Sequence, residues 1–177
     1  MKRTIKATSS AESADSASDV YSALTTTGFG PFFATPCGVL APLLSLLEQR
    51  SDYHVVARED SAVGMAAGVS LVRGLPVVLM QNSGFGQSVN ALGSLTMPYC
   101  LPVLLIVSMR GTGPDTTREN LAMGRLTPMI LDGLGVEFEY LTGETAHTQM
   151  KSAYDVVAVE RRAFCFLIRP DEFEWSV

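Results

Sequence analysis

Leu75-Pro76-Val77-Val78-Leu79-Met80-Gln81-Asn82-Ser83-Gly84-Phe85-Gly86-Gln87-Ser88-Val89-Asn90-Ala91-Leu92 is the stretch that decides how this chain folds. The run from Leu75 to Met80 is apolar throughout, the pattern of a parallel strand buried on both faces. It passes at once into a Gly-x-Gly turn, Gly84 to Gly86, carrying the amides and hydroxyls of Gln81, Asn82, Ser83, Gln87 and Ser88. Helical spacing follows. A strand, a glycine-rich turn and a helix make one βα step of a parallel sheet. Ligands of such sheets lie beyond the carboxyl ends of the strands, so these polar groups are expected at a binding site. The glycines are expected to let the backbone approach a ligand and to adopt positive φ.

The same alternation runs outward on both sides. Helical patterns cover Asp19 to Thr27, Val39 to Gln49 (Leu40, Leu43, Leu44 and Leu47 on one face), Asp60 to Arg73, Gln87 to Leu95, Thr127 to Leu134 and Glu144 to Arg161. Strand patterns cover Pro31 to Thr35, Tyr53 to Arg58, Leu75 to Gln81, Pro102 to Ser108 and Phe164 to Ile168. The fold class is therefore α/β, a doubly wound, mostly parallel sheet flanked by helices. Residues 1–18, rich in Ser and Ala, read as a disordered tail, and residues 19–177 as one domain. Residues 110–124 form a polar loop at the sheet's carboxyl edge, a place where long loops carry function.

Bulk properties exclude several classes. A chain of 177 residues supports one well-buried core. Its apolar runs fall well short of the roughly 20 residues that span a bilayer, so no membrane is expected. The high apolar fraction, 47%, points instead to another protein chain. A net charge of −5 without a basic stripe argues against nucleic acid. Cys37, Cys100 and Cys165 are odd in number and lack CxxC spacing, which suggests a reduced cytoplasmic setting and no structural zinc.

Glu59 stands where the strand Tyr53 to Arg58 meets the next helix. Acidic residues are ordinary there, because the helix dipole is positive at that end. The helix behind it is not ordinary: Ser61-Ala62-Val63-Gly64-Met65-Ala66-Ala67-Gly68 is small-sided and uncharged. Gly64 and Gly68 cost roughly 1 kcal/mol each against Ala, so close packing against a partner chain is expected to offset them. Glu59 is then expected to be buried at an interface, where desolvation raises its pKa and lets it share a proton.

Arg58 to Gly68 followed by Met80 to Asn90 resembles the pyrimidine-binding domain of thiamine diphosphate-dependent decarboxylases. The likeness runs from about Asp19 to Pro170 and is strongest to the sulfopyruvate and phosphonopyruvate decarboxylase group. Pro36-Cys37 and Met123-Gly124-Arg125 lean toward the alpha subunits of the sulfopyruvate enzymes. The resemblance implies that Glu59 is the catalytic carboxylate, hydrogen-bonded to N1′ of the cofactor's aminopyrimidine. It also implies cofactor contacts from Gly84, Phe85, Gly86 and Asn90, and thiamine diphosphate with Mg²⁺ as cofactors. The family's Gly-Asp-Gly metal motif is missing: Leu131-Asp132-Gly133 lies in a helical, apolar context. A separate beta subunit carrying that motif, in a hetero-oligomer, is the expected partner.

A 2-oxo acid with a terminal sulfonate or phosphonate needs Arg and amide donors. Arg110, just past the strand Pro102 to Ser108, is the candidate anion site. Its residues leave open a loop ion pair with Asp115 or Glu119 instead. Gln81 and Asn82 end a buried strand and need partners, either ligand or turn. Cys37 reads as a small buried hydrophobe, and by resemblance as a wall of the substrate pocket. The expected activity is decarboxylation of sulfopyruvate, with phosphonopyruvate as the near alternative. A non-catalytic α/β scaffold is the alternative from another class.

Overall fold

The computed structural model describes residues 9–175. Six parallel strands form one sheet in the order β2-β1-β3-β4-β6-β5. They are β1 (Phe32–Ala34), β2 (Tyr53–Val55), β3 (Val77–Gln81), β4 (Leu104–Ser108), β5 (Glu137–Tyr140) and β6 (Phe164–Ile168). The helices are α1 (Ser9–Thr27), α2 (Ala41–Leu47), α3 (Glu59–Leu71), α4 (Asn82–Ala91), α5 (Leu121–Leu134) and α6 (Ala146–Tyr154). α4 and α6 each run on into a π turn, Leu92–Thr96 and Asp155–Val159, and a 3₁₀ turn, Pro170–Phe173, follows β6.

Alternate strand residues enter two separate cores, as the two-residue period of a strand requires. Val77, Leu79, Leu104, Ile106, Phe164, Phe166 and Ile168 pack with α1, α2 and α6. Val78, Met80, Leu105, Val107, Cys165 and Leu167 pack with α3, α4 and α5. Every residue of β4 and β6 is buried, in keeping with the expected doubly wound parallel sheet flanked by helices. Among the described residues no helix is long and apolar enough to cross a membrane.

Several elements differ from the sequence expectation. The first helix starts at Ser9 rather than Asp19, so residues 9–18 of the expected tail are helical and only residues 1–8 of it lie outside the described part. Small residues explain why: a Cβ on Gly143 would stand 2.6 Å from Cα of Ser16, so α1 lies almost backbone to backbone on the loop before α6. The strand expected over Tyr53 to Arg58 stops at Val55, at the sheet edge. α5 begins at Leu121 rather than Thr127 and carries Pro128 inside it. β5 was not expected at all. As an edge strand it buries little, and Glu137-Phe138-Glu139-Tyr140 shows one half-buried side chain among exposed ones.

Candidate active site

The chain steps outward from β1 to β2 and then returns across β1 to β3. The carboxyl ends of β1 and β3 therefore flank a reversal of winding, the place where such sheets open a crevice for ligands. Three side chains from three strand ends lie there, Cys37, Ser108 and Asn82. Cys37, beyond β1, has its Sγ 3.0 Å from Oγ of Ser108, the last residue of β4, and both are buried. Asn82, directly after β3, donates from Nδ2 to the carbonyl of Arg110 at 2.8 Å. Its side chain is fully buried, and Oδ1 has no hydrogen-bond partner among the described residues. A buried acceptor without a donor is costly, so this atom is suited to an incoming N–H or O–H.

The expected Gly-x-Gly turn is a helix. α4 begins at Asn82, and neither Gly84 nor Gly86 has positive φ. The glycines matter for a different reason. A Cβ on Gly84 would overlap Cγ and the carboxyl of Glu59, so the Glu59 side chain lies directly on the first turn of α4. A Cβ on Gly86 would come within 3.0 Å of Cε of Met123. Glu59 itself is the first residue of α3. Its carboxyl thus sits at the amino ends of two helices, where the dipoles favour negative charge.

Glu59 is half-buried in this chain rather than enclosed. α3 turns Ala62, Val63, Ala66, Ala67 and Ser70 inward, while Gly64, Met65 and Gly68 face outward. Leu71 and Val72 at its end are 70% and 80% exposed. A Cβ at Gly64 or Gly68 would meet nothing within 4 Å, so the packing expected around these glycines is not made inside the chain.

The remaining sequence candidates separate. Phe85 is fully buried in the core with Val63 and Met80, so its ring cannot line a cofactor site and only its backbone could. The helical register explains this: a turn would have left the ring free, whereas α4 points it at the sheet. Asn90 is exposed, one helical turn beyond Gly86, and accepts a hydrogen bond from Ser94 Oγ at 3.1 Å. Gln81 Nε2 donates to Ser83 Oγ at 2.8 Å, the turn bond rather than a free amide. Among the described residues no group of three or more His, Cys, Asp or Glu stands together as a metal site.

Arg110 makes the ion pair left open above. Its Nε donates to Oδ2 of Asp115 at 2.5 Å. Asp115 is 1% exposed and is the hub of the loop. It also accepts from the backbone N–H of Gly111 (2.8 Å) and of Thr117 (3.1 Å), from Nδ2 of Asn120 (3.2 Å) and from the Thr117 hydroxyl. Burial alone would push the Asp115 carboxyl up, but these donors, led by Arg110 and Thr117, hold it well below the usual carboxylate range. The loop Arg110 to Asn120 is therefore closed around one carboxylate. Gly111, at φ +75°, lets the chain turn tightly against Asn120. Ser108, Asp115 as a hub, and Trp175, whose ring lies 4.2 Å from the Arg110 guanidinium carbon, complete the site without having been read as part of it. Only Trp175 carried a sequence signal, as the chain's single tryptophan.

Replacing Asp115 by Ala leaves Arg110 and several donors unpaired in a buried setting and is expected to cost about 3 kcal/mol of stability, read by urea unfolding. The pH dependence has a definite sign. The native carboxyl titrates below its unfolded value of about 3.9, so its contribution is complete above about pH 5 and drains as pH falls through the native value. Wild-type stability should therefore drop between about pH 5 and pH 3 more steeply than that of Asp115→Asn. Parallel curves would show that Asp115 is not the acid-sensitive group.

Comparison with known proteins gives a consistent picture. Residues 15–123 match a family described as "Thiamine pyrophosphate enzyme, N-terminal TPP binding domain". The chain is 34% identical over 138 residues to the sulfopyruvate decarboxylase subunit alpha of Methanococcus maripaludis, covering 77% of this chain and 81% of that one. It is 31% identical over 157 residues to a phosphonopyruvate decarboxylase of Streptomyces viridochromogenes, covering 86% of this chain but only 40% of that one. Among solved structures it matches the thiamine diphosphate-dependent 4-hydroxybenzoylformate decarboxylase of Rhodococcus jostii RHA1 with a TM-score of 0.70. That match covers 90% of this chain and 31% of the other at 17% identity, and bears on the fold alone.

Proposed function

The chain belongs to the thiamine pyrophosphate enzymes, carrying their N-terminal TPP binding domain, and we propose that it serves as the alpha subunit of a decarboxylase of sulfopyruvate. Its relatives are thiamine diphosphate-dependent decarboxylases, and it is one of them. The observation that carries the site assignment is the half-buried Glu59 carboxyl resting on Gly84 beside the carboxyl edge of the sheet. A carboxyl held there, with the side chain of residue 84 deleted to make room, fits a flat ring bearing a basic nitrogen.

In this reading Glu59 holds a proton at N1′ of the aminopyrimidine. Asn82 Oδ1 accepts a hydrogen bond from a ligand donor. Arg110 binds the terminal anion of the substrate, and Cys37 with Ser108 forms the dry floor beneath it. Thiamine diphosphate, when bound, supplies the nucleophilic carbon for the 2-oxo group and takes up the electron pair released with carbon dioxide. The products would be sulfoacetaldehyde and carbon dioxide. The diphosphate and Mg²⁺ are assigned to a beta subunit, since Asp132-Gly133 lies inside α5 and forms no metal-binding turn. The open face of α3, with Gly64, Met65, Gly68, Leu71 and Val72, is where that subunit would seat, in keeping with an apolar obligate interface.

Phosphonopyruvate is the second reading, favoured by the likeness to the Streptomyces enzyme. The test is carbon dioxide release from the two substrates side by side, by the complex that co-purifies with this chain, with thiamine diphosphate and Mg²⁺ added. Faster release from sulfopyruvate supports the first reading, and faster release from phosphonopyruvate replaces it with the second. No release from either, with a partner present, overturns both. Arg110→Ala should raise KM for the preferred substrate by about 10- to 100-fold, the range of a lost charge-assisted pair. The affinity for thiamine diphosphate should change far less.

A further inference from the structure

Arg110 is restrained in a way that a simple loop ion pair does not need. A guanidinium has five N–H donors in one plane. Asp115 Oδ2 takes Nε at 2.5 Å, and the Trp175 ring covers a face with the guanidinium carbon 4.2 Å from its centroid. Nη1 and Nη2 meet no protein acceptor among the described residues, and the side chain is 20% exposed. Asp115 also accepts from Gly111, Thr117 and Asn120, so the carboxylate that anchors Arg110 is itself fixed in place. What remains is an in-plane pair of donors on a group tied at Nε and covered by the indole.

Trp175 is itself tied down from several sides. Its backbone N–H donates to the carbonyl of Pro170 at 2.9 Å, and Phe173, two residues before it, is buried. Glu172 accepts from Ser16 Oγ at 2.5 Å and from the Gly143 N–H at 2.8 Å. On its other side the indole Nε1 lies 3.3 Å from where a Cβ would stand on Gly38, next to Cys37. The indole thus bridges the end of β1 to the residue beyond β4, across the crevice.

We propose that Trp175 and Asp115 are positioning residues that together present the Nη1–Nη2 edge of Arg110 to the terminal anion of the substrate. Two parallel donors at fixed spacing match two oxygens of a tetrahedral sulfonate or phosphonate. The inference deepens the proposed function and rests on it for the identity of the anion.

The test uses the assembled decarboxylase with Trp175→Leu and Trp175→Phe, and with Asp115→Asn as a third variant. Steady-state turnover of sulfopyruvate is paired with calorimetric binding of sulfoacetate, a non-reacting probe that keeps the terminal anion. Trp175→Leu should raise KM about tenfold and weaken sulfoacetate to a like extent, the loss expected for a partly desolvated cation–π contact. Its kcat should hold within about threefold, and Trp175→Phe should recover most of the loss. Unchanged KM and unchanged sulfoacetate binding in Trp175→Leu overturn the inference while leaving the function intact. So does a fall in kcat and thiamine diphosphate affinity with KM unmoved, which marks a purely structural role. If the wild-type complex turns over neither substrate yet sulfoacetate binding depends on Trp175, the function fails and the anion arm stands.

Discussion

Glu59→Gln lowers carbon dioxide release by the assembled complex by about 10²- to 10⁴-fold, the range for loss of one acid–base group. Gln fills the same volume over Gly84 and can still hydrogen-bond, so neither the fold nor cofactor docking should suffer. What it cannot do is give and take a proton. The measurement is turnover at saturating substrate and thiamine diphosphate, alongside the melting temperature of the same preparation. A drop in rate with an unmoved melting temperature assigns the chemistry to Glu59. Turnover within threefold of wild type would remove Glu59 from the mechanism and revive the scaffold reading.

Gly84→Ala should separate stability from activity in the opposite direction to most helix substitutions. An alanine in the first turn of α4 gains up to about 1 kcal/mol of helix propensity over glycine. Its methyl overlaps the end of the Glu59 side chain, which is flexible and can swing aside at little cost to folding. The chain should therefore keep or slightly raise its melting temperature while activity falls by about 10²-fold, the scale of a misplaced catalytic group. A variant that is both stable and active would mean that Glu59 does its work from another rotamer. A variant that unfolds would mean that the carboxyl is pinned by more than Gly84.

The parts of this fold that were legible are those where burial is extreme. β3, β4 and β6 are apolar on both faces because helices cover both, and their shortness and Val, Ile and Leu content mark them as strands. Glu59 stands out in the sequence because the uncharged, small-sided helix behind it is unusual for a surface. β5 escaped because an edge strand buries so little that Glu137-Phe138-Glu139-Tyr140 looks like a loop. Gly84 to Gly86 was misread for an instructive reason. Glycine signals either backbone freedom or a missing side chain, and composition alone does not tell which. Here the second holds, and the evidence for it, the Glu59 carboxyl, arrives from a different element. The sequence alone does not choose between Asp115 and Glu119 as the Arg110 partner, because a polar loop has no period that reveals its hub. Trp175 lies 65 positions from Arg110 in sequence, and only the path of the chain over the sheet edge brings the two together.

The carboxylate of Glu172 couples the two extremities of the described chain, since it receives a donor from Ser16 in the first helix and stands three residues before Trp175. A pull on α1 is therefore expected to reach the indole over Arg110. A fusion partner joined rigidly to the amino-terminal side, or a deletion that removes Ser16, should act as a remote lever on substrate affinity while sparing the role proposed for Glu59. Preparations that differ only in how that leading segment is tagged or trimmed should then disagree in KM and agree in kcat.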